Sequence, residues 1–309
     1  MRPSDPEEAR GPTTHGTAGR PGEPGEPGEP GRPDRPGEPD RSGEPGRSGE
    51  PSESGRGLGV AGKGLATAVA TVTGNAFLVV GSLVLGIVTM AVAWLPPRGR
   101  WALATTRLWA AGLLAASGVR LRVVRPAGVD PGASYVYLAN HQSLFDIPAL
   151  LRAVPGRFRM VAKQSLFRIP VFGWAIAAAG FVSVDRGDSA AARQSFAAAE
   201  QRLRSGGSIL LFPEGTRSDG ETLLPFKRGG FLLALRTGLP IVPVGIRGTR
   251  PVQARGRRSI RPGVVEVRFG TPIPVADFGI RRKRELIAEV RRQLAGLAGM
   301  HPGEVAEVG

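Results

Sequence analysis

The sequence predicts an α/β domain, a mixed β-sheet flanked by helices, preceded by N-terminal membrane helices and a disordered tail. Three observations predict it. After residue 118, short β-rich runs alternate with helical stretches. From Gly64 to Pro97 no charged side chain appears. The first 57 residues are dominated by Gly, Pro, Glu, Arg and Ser, as in "GEPGEPGEPGRP". These features divide the chain into a tail (1–57), a membrane-associated helical segment (58–118), an α/β domain (119–275) and a C-terminal amphipathic helix and tail (276–309).

The tail has almost no apolar surface to bury, so nothing would offset the entropy of ordering it. Its Gly-x-Pro period suggests collagen. The period breaks where Asp34 takes the next glycine position, and a triple helix needs Gly at every third residue.

The apolar centre of the uncharged stretch, "FLVVGSLVLGIVTMAVAWL", covers residues 77–95. About 20 apolar residues suffice to cross a bilayer as a helix. Trp94, Trp101 and Trp109 stand where an interfacial aromatic belt would lie, beside Arg98, Arg100 and Arg107. "WALATTRLWAAGLLAASGV" therefore reads as a second, interfacial helix with its arginines reaching toward headgroups. Basic residues after the span place the downstream domain on the cytoplasmic side. Full crossing and re-entry both remain open.

In the α/β domain, candidate strands are 120–124, 135–139, 181–184, 208–212, 241–246 and 264–269, with helices near 147–153, 189–204 and 228–237. In such a domain, ligands gather at strand C-terminal ends. The stretch "RRKRELIAEVRRQLAGLAG" (281–299) makes a basic amphipathic helix. Its Leu286, Ile287, Val290, Leu294 and Leu297 are expected to pack on the domain.

The formal net charge is +15, unevenly spread: −4 over residues 1–57 and +19 over the remainder. A body this basic suits nucleic acid, anionic lipid headgroups or phosphorylated substrates. Its basic residues are scattered, only two tyrosines are present, and no nucleic-acid-binding motif appears, so nucleic acid is not an expected partner. The absence of cysteine excludes a thiolate nucleophile and a Cys-based zinc site.

"NHQSLFD", residues 140–146, ends one candidate strand. In a continuous helix His141 and Asp146 would lie roughly 140° apart around the axis. Pro148 belongs in a helix's first turn and Asp146 is a favoured N-cap, so a helix starting near Asp146 leaves a turn before it. That turn can fold the carboxylate onto the imidazole. The pair is then either a base with its orienting carboxylate, or a structural histidine beside a helix cap. Ser143 lacks a nucleophile elbow, and a local hydrogen bond within the turn explains it better than catalysis.

After the candidate strand "SILLF" stands "PEGTRS", residues 213–218. Arg217 offers a planar fork to phosphate oxygens, and the Thr216 and Ser218 hydroxyls and backbone N–H groups add donors. Glu214 would orient Arg217 or a substrate hydroxyl, or else form a surface pair with Arg217. Lys163 and Arg186 can converge with Arg217 on one phosphate.

With these blocks in view, the sequence resembles the glycerolipid acyltransferase superfamily, and within it the bacterial lysophosphatidate acyltransferases. "NHQSLFD" (140–146), "GFVSVDR" (180–186), "FPEGTRS" (212–218) and "IVPVGI" (241–246) carry the resemblance, in the family's order, over about residues 115–275. One departure is Ser165, where the family commonly has an acidic residue two positions after the lysine. The resemblance implies a glycerol-3-phosphate acyltransferase-like fold and a membrane enzyme of phospholipid biosynthesis. It would move an acyl group from acyl-CoA or acyl-ACP to the free hydroxyl of 1-acylglycerol-3-phosphate. It implies His141 as base and Asp146 as its partner, with Lys163, Arg186, Glu214, Gly215, Thr216 and Arg217 holding the acceptor, and Pro243 shaping the acyl-donor or acyl-chain region. No metal or bound cofactor is called for. Transfer is expected by direct attack, with a backbone N–H near the helix start as oxyanion donor. Glycerol-3-phosphate, another lysophospholipid or an amino-acid lipid remain alternative acceptors.

Overall fold

The computed structural model describes residues 53–95, 99–126, 128–185, 189–204 and 206–303. Residues 1–52 of the expected tail lie outside them, but Glu53 already opens a helix that takes in the last five residues of that tail. The elements in order are α1 (Glu53–Val92), α2 (Arg100–Ala116), β1 (Val119–Val124), β2 (Val136–Ala139), α3 (Asp146–Ala153), β3 (Phe158–Lys163), α4 (Gln164–Phe167) and α5 (Phe172–Ala178). Then come β4 (Val182–Val184), α6 (Ser189–Arg204), β5 (Ser208–Leu211), α7 (Gly229–Thr237), β6 (Ile241–Arg247), α8 (Thr249–Val252), β7 (Gly263–Phe269) and α9 (Lys283–Ala298).

The strands form one sheet in the order β1-β7-β6-β2-β5-β3-β4. Every pairing is parallel except β6 with β7, so the sheet is mixed. β2 and β5 are buried along their whole length, as central strands covered on both faces must be. Tyr137 and Ala139 face a core shared with α2, α3 and α5. Val136 and Leu138 face a second core under α6, α7 and α9. β1 and β7 instead alternate more and less buried residues, and the edge strand β1 carries Arg120 and Arg122, charges that discourage further strand addition.

β3 is absent from the sequence expectation. Arg159 and Lys163 interrupt its apolar pattern, and its pairing with β5 overrides them.

Among the described residues, one helix is long and apolar enough to cross a membrane, Gly62–Val92. It packs against α2 and α5, and is tied to the far end of the domain where Thr71 Oγ1 accepts the Ile260 N–H (2.9 Å) and Asn75 donates to the Arg258 carbonyl (3.1 Å). Its other face is bare: Leu65, Val72, Val79, Leu83, Val84 and Ile87 are all exposed. α1 therefore lies along the body with one side packed and one side apolar and uncovered.

Two expectations about α2 are corrected. Trp109 is not an interfacial residue; it is partly buried, tilted against Phe172 (6.3 Å between centroids), and donates to Ser82 Oγ (3.0 Å). Arg107 does not reach for headgroups. It turns inward to the Val154 and Gly156 carbonyls (2.8 and 2.9 Å), which lie just past α3 with no helical donor. Trp94 and Trp101 are exposed as expected, and Arg98 lies outside the described residues.

α9 presses Leu286, Ile287, Val290 and Leu294 into the core, with Leu297 half-buried. It approaches β6 so closely that a Cβ on Gly245 would sit 2.4 Å from the Leu297 carbonyl carbon, which only glycine permits. The same helix buries an arginine. Arg291 donates to the Leu223 and Leu224 carbonyls (2.7 and 2.9 Å) and lies over Phe226 (4.7 Å), clamping the 223–226 loop. Replacing Arg291 with Leu strands two carbonyls and should lower stability by roughly 3 kcal/mol. Chemical denaturation in detergent checks this, and a wild-type midpoint would refute the clamp.

Candidate active site

β2 leaves the centre of the sheet at Ala139, and the next four residues are held without regular structure. Asn140, fully buried, continues the ladder with its side chain: its Oδ1 accepts the Ile246 N–H (2.7 Å) and its Nδ2 donates to the Ile246 carbonyl (3.1 Å). Gln142 donates to the same carbonyl (2.8 Å). The turn is thereby fastened to β6 on one side.

Three of the turn's own N–H groups go to carboxylates. The His141 N–H donates to Glu214 Oε1 (2.8 Å), and those of Gln142 and Ser143 to Asp146 Oδ2 (2.7 and 2.9 Å). These three donors are occupied, so the oxyanion donor expected near the helix start is not one of them. Asp146 is fully buried, and Thr249 at the end of β6 donates its hydroxyl to Oδ1 (2.5 Å). Asp146 is also not the N-cap: Phe145 holds that position, and the Asp146 carboxylate points back into the turn, where unpaired N–H groups wait.

The imidazole Nδ1 of His141 lies 2.7 Å from Asp146 Oδ2. The ring stacks on Phe212 at 4.0 Å between centroids, and 12% of its side-chain surface is exposed. Nε2 has no hydrogen-bond partner among the described residues. An imidazole with Nδ1–H fixed by a carboxylate presents a lone pair at Nε2, the arrangement of a general base. Ser143 is no nucleophile: its buried hydroxyl donates to the Gln253 carbonyl (2.8 Å) and accepts the Phe145 N–H (3.2 Å).

The loop after β5 closes the site. Gly215 adopts φ 71°, a left-handed turn in which a side chain would be strained and crowded by Lys227. The turn sends Glu214 inward and leaves Thr216 exposed and Arg217 half-buried. Ser218 then donates its N–H and its hydroxyl to the His141 carbonyl (2.8 and 3.1 Å), hanging the loop on the histidine's own backbone. Glu214, expected to orient Arg217 or an acceptor hydroxyl, instead accepts the N–H groups of His141 and Leu224 (2.8 and 2.9 Å) at 3% exposure. It braces the histidine from behind. Burial raises its pKa to about 7, against the pull of those two N–H groups; Asp146 raises it further and Arg291 opposes.

His141, Asp146 and Glu214 thus meet directly, with Gly215, Thr216 and Arg217 on the adjoining loop. Lys163 is exposed at the C-terminal end of β3, beyond β5 from the histidine. Arg186 lies outside the described residues. Pro243 sits in the sheet interior, in register with Leu138, where its missing N–H faces the 270–272 stretch between two ladder contacts to β6. Asn140, Thr249, Phe212 and Arg291 were missed by sequence reasoning. Asn140, inside the same block as His141, and Phe212, which opens the block of Glu214, carried a local signal.

A protein-family model described as Acyltransferase matches residues 120–247. The 1-acyl-sn-glycerol-3-phosphate acyltransferase of Salmonella typhimurium is 34% identical over 191 residues, 62% of this chain and 77% of the relative. A human relative, 1-acyl-sn-glycerol-3-phosphate acyltransferase alpha, is 32% identical over 160 residues, 51% of this chain and 56% of that protein. The crystal structure of the 1-acyl-sn-glycerophosphate acyltransferase from Thermotoga maritima shares the fold, with a TM-score of 0.64 and 24% identity, over 76% of this chain and 97% of that one.

The brace has a pH signature. An unfolded Glu ionises near pH 4.3, whereas Glu214 holds its proton to about pH 7 in the folded protein. Between those values the folded state carries the extra proton, so its stability falls as pH rises, by roughly 3 kcal/mol in all. Glu214→Gln cannot titrate. Denaturation of both proteins from pH 5 to 8 should therefore show wild type losing ground to the variant, and parallel curves would contradict the assignment.

Proposed function

The chain belongs to the 1-acyl-sn-glycerol-3-phosphate acyltransferase family, and on that premise we propose a direct acyl transfer run by His141. The acceptor is 1-acylglycerol-3-phosphate and the product phosphatidate. His141 Nε2 takes the proton of the free glycerol hydroxyl while Nδ1–H stays on Asp146. The alkoxide oxygen attacks the thioester carbonyl carbon of the acyl donor, acyl-CoA or acyl-ACP. The C–S bond breaks, and the thiolate leaves with the proton that the imidazolium returns.

One observation carries this reading: a ring locked at one nitrogen by a buried carboxylate, with the other unpartnered beside the loop that holds Arg217. Direct attack is favoured over an acyl-enzyme because the chain has no cysteine, Ser143 is buried and engaged, and the Ser218 hydroxyl donates to the His141 carbonyl rather than to the ring. Arg217, with Lys163 and Arg186, takes the acceptor phosphate. Pro243, fixed within β6, would shape the acyl-donor or acyl-chain region.

The bare apolar face of α1 suits burial in the bilayer that supplies the acceptor. The net +19 of residues 58–309 then favours the anionic cytoplasmic leaflet.

His141→Ala should lower kcat for lysophosphatidate by about 10²–10⁴ while the protein still folds, with a single cooperative denaturation transition. Near-normal thioester consumption by that variant would end the mechanism. Arg217→Ala should chiefly raise acceptor KM, measured at saturating donor. An unchanged acceptor KM would remove Arg217 from the phosphate site.

A further inference from the structure

Beside the turn that bears His141 lies a cavity of about 740 Å³, within the range of small-molecule sites. Gln142, next to the histidine, forms part of its wall, with Gly220 beside it. Arg247, Arg250, Arg257 and Arg261 also line it, and no carboxylate does. Arg247 is already engaged, capping α9 through the Leu297 and Gly296 carbonyls (both 2.7 Å). Arg250 has only a loose, exposed contact with Glu221 (3.7 Å), worth little in water. Arg257 and Arg261 are exposed and have no acidic partner among the described residues.

Gathering guanidinium groups around one recess without a counter-charge is unfavourable unless an anion occupies it. The loop that bears them is held in place. Ser143 grips it at the Gln253 carbonyl, and Thr71 of α1 at the Ile260 N–H. It is therefore tied at one end to the catalytic turn and at the other to the membrane helix. The backbone that carries the arginines is thus in place before a phosphate arrives, which lowers the ordering cost of binding it.

The sheet order explains why a second anion site stands here. His141 follows β2; the loop after β5 carries Arg217 and reaches the cavity wall at Gly220, while the chain between β6 and β7 supplies the cavity's other arginines. Direct transfer needs both substrates bound at once, and both carry phosphate. We propose that Arg250, Arg257 and Arg261 hold the phosphates of the acyl donor's nucleotide end, so that acyl-CoA is a substrate bound from the β6–β7 side. This rests on the direct-transfer reading above.

The test uses the full-length enzyme in mixed micelles with saturating lysophosphatidate. Arg257→Gln/Arg261→Gln should raise the KM for acyl-CoA about tenfold or more, with a far smaller change in kcat and in acceptor KM. The same acyl group on pantetheine, which lacks phosphate, should show equal KM in both proteins. An unchanged acyl-CoA KM overturns the proposal. So does a defect confined to acyl-carrier-protein donor, or one confined to binding of anionic vesicles, which would make the arginines a protein or headgroup contact. Calorimetric titration of free CoA into His141→Ala enzyme separates this inference from the functional one. Arginine-dependent CoA binding supports the donor site even if lysophosphatidate proves not to be the acceptor.

Discussion

A single buried anion organises this site. The Asp146 carboxylate has no contact with water, and an ion so placed is tolerable only if its oxygens are saturated with donors. It meets that condition by drawing in the His141 ring, two turn N–H groups and the Thr249 hydroxyl. Each of those bonds fixes a different piece of chain: the imidazole, the turn after β2, and the start of α8. Histidine geometry is thus a consequence of charge solvation. The second buried acid, Glu214, keeps its proton to about pH 7 and so braces the turn by hydrogen bonds more than by charge, taking the N–H of His141 and, through Leu224, the loop that Arg291 clamps. A continuous path of polar contacts runs from α9 to the base.

Much of the fold was legible because central strands of a covered sheet are nearly continuous apolar runs. β2, β5 and β6 announce themselves this way, and α6, α7 and α9 by helical spacing. β3 was not legible, since its charged residues reflect local exposure while its strand character comes from β5, distant in sequence. The catalytic pair was legible only through the order of the four blocks. Spacing alone allows a turn to fold Asp146 onto His141, but does not require it. The role of Glu214 was hidden because nothing local tells a carboxylate which N–H groups it will meet. Likewise, composition placed Trp109 and Arg107 near a membrane, but only packing shows that their side of α2 faces the domain.

Topology supplies what residues alone do not. A parallel strand order puts the ends of β6, β2 and β5 side by side, so a base on β2 is flanked on both sides by loops free to carry binding groups. The chain uses that freedom asymmetrically. Below the ring lie two buried carboxylates; around the rim lie arginines from separate loops. α1 is fastened to the arginine loop through Thr71 and Asn75, which links the apolar face of the protein to its basic face.

That division of charge matches the course of the proposed transfer. As the hydroxyl proton moves to Nε2, positive charge appears on the imidazole, where Asp146 is already in contact and needs no rearrangement. Negative charge travels the other way, from the hydroxyl oxygen through the carbonyl oxygen to the departing sulfur, and so moves away from the carboxylates. On the proposed assignments the substrate phosphates, which never react, would be anchored on guanidinium groups and keep their charge throughout. No charge crosses the site except the one proton and the electron pairs of the transfer. A protein so arranged has its electrostatic work done before the substrates arrive, which is why its rigidity has to begin with Asp146.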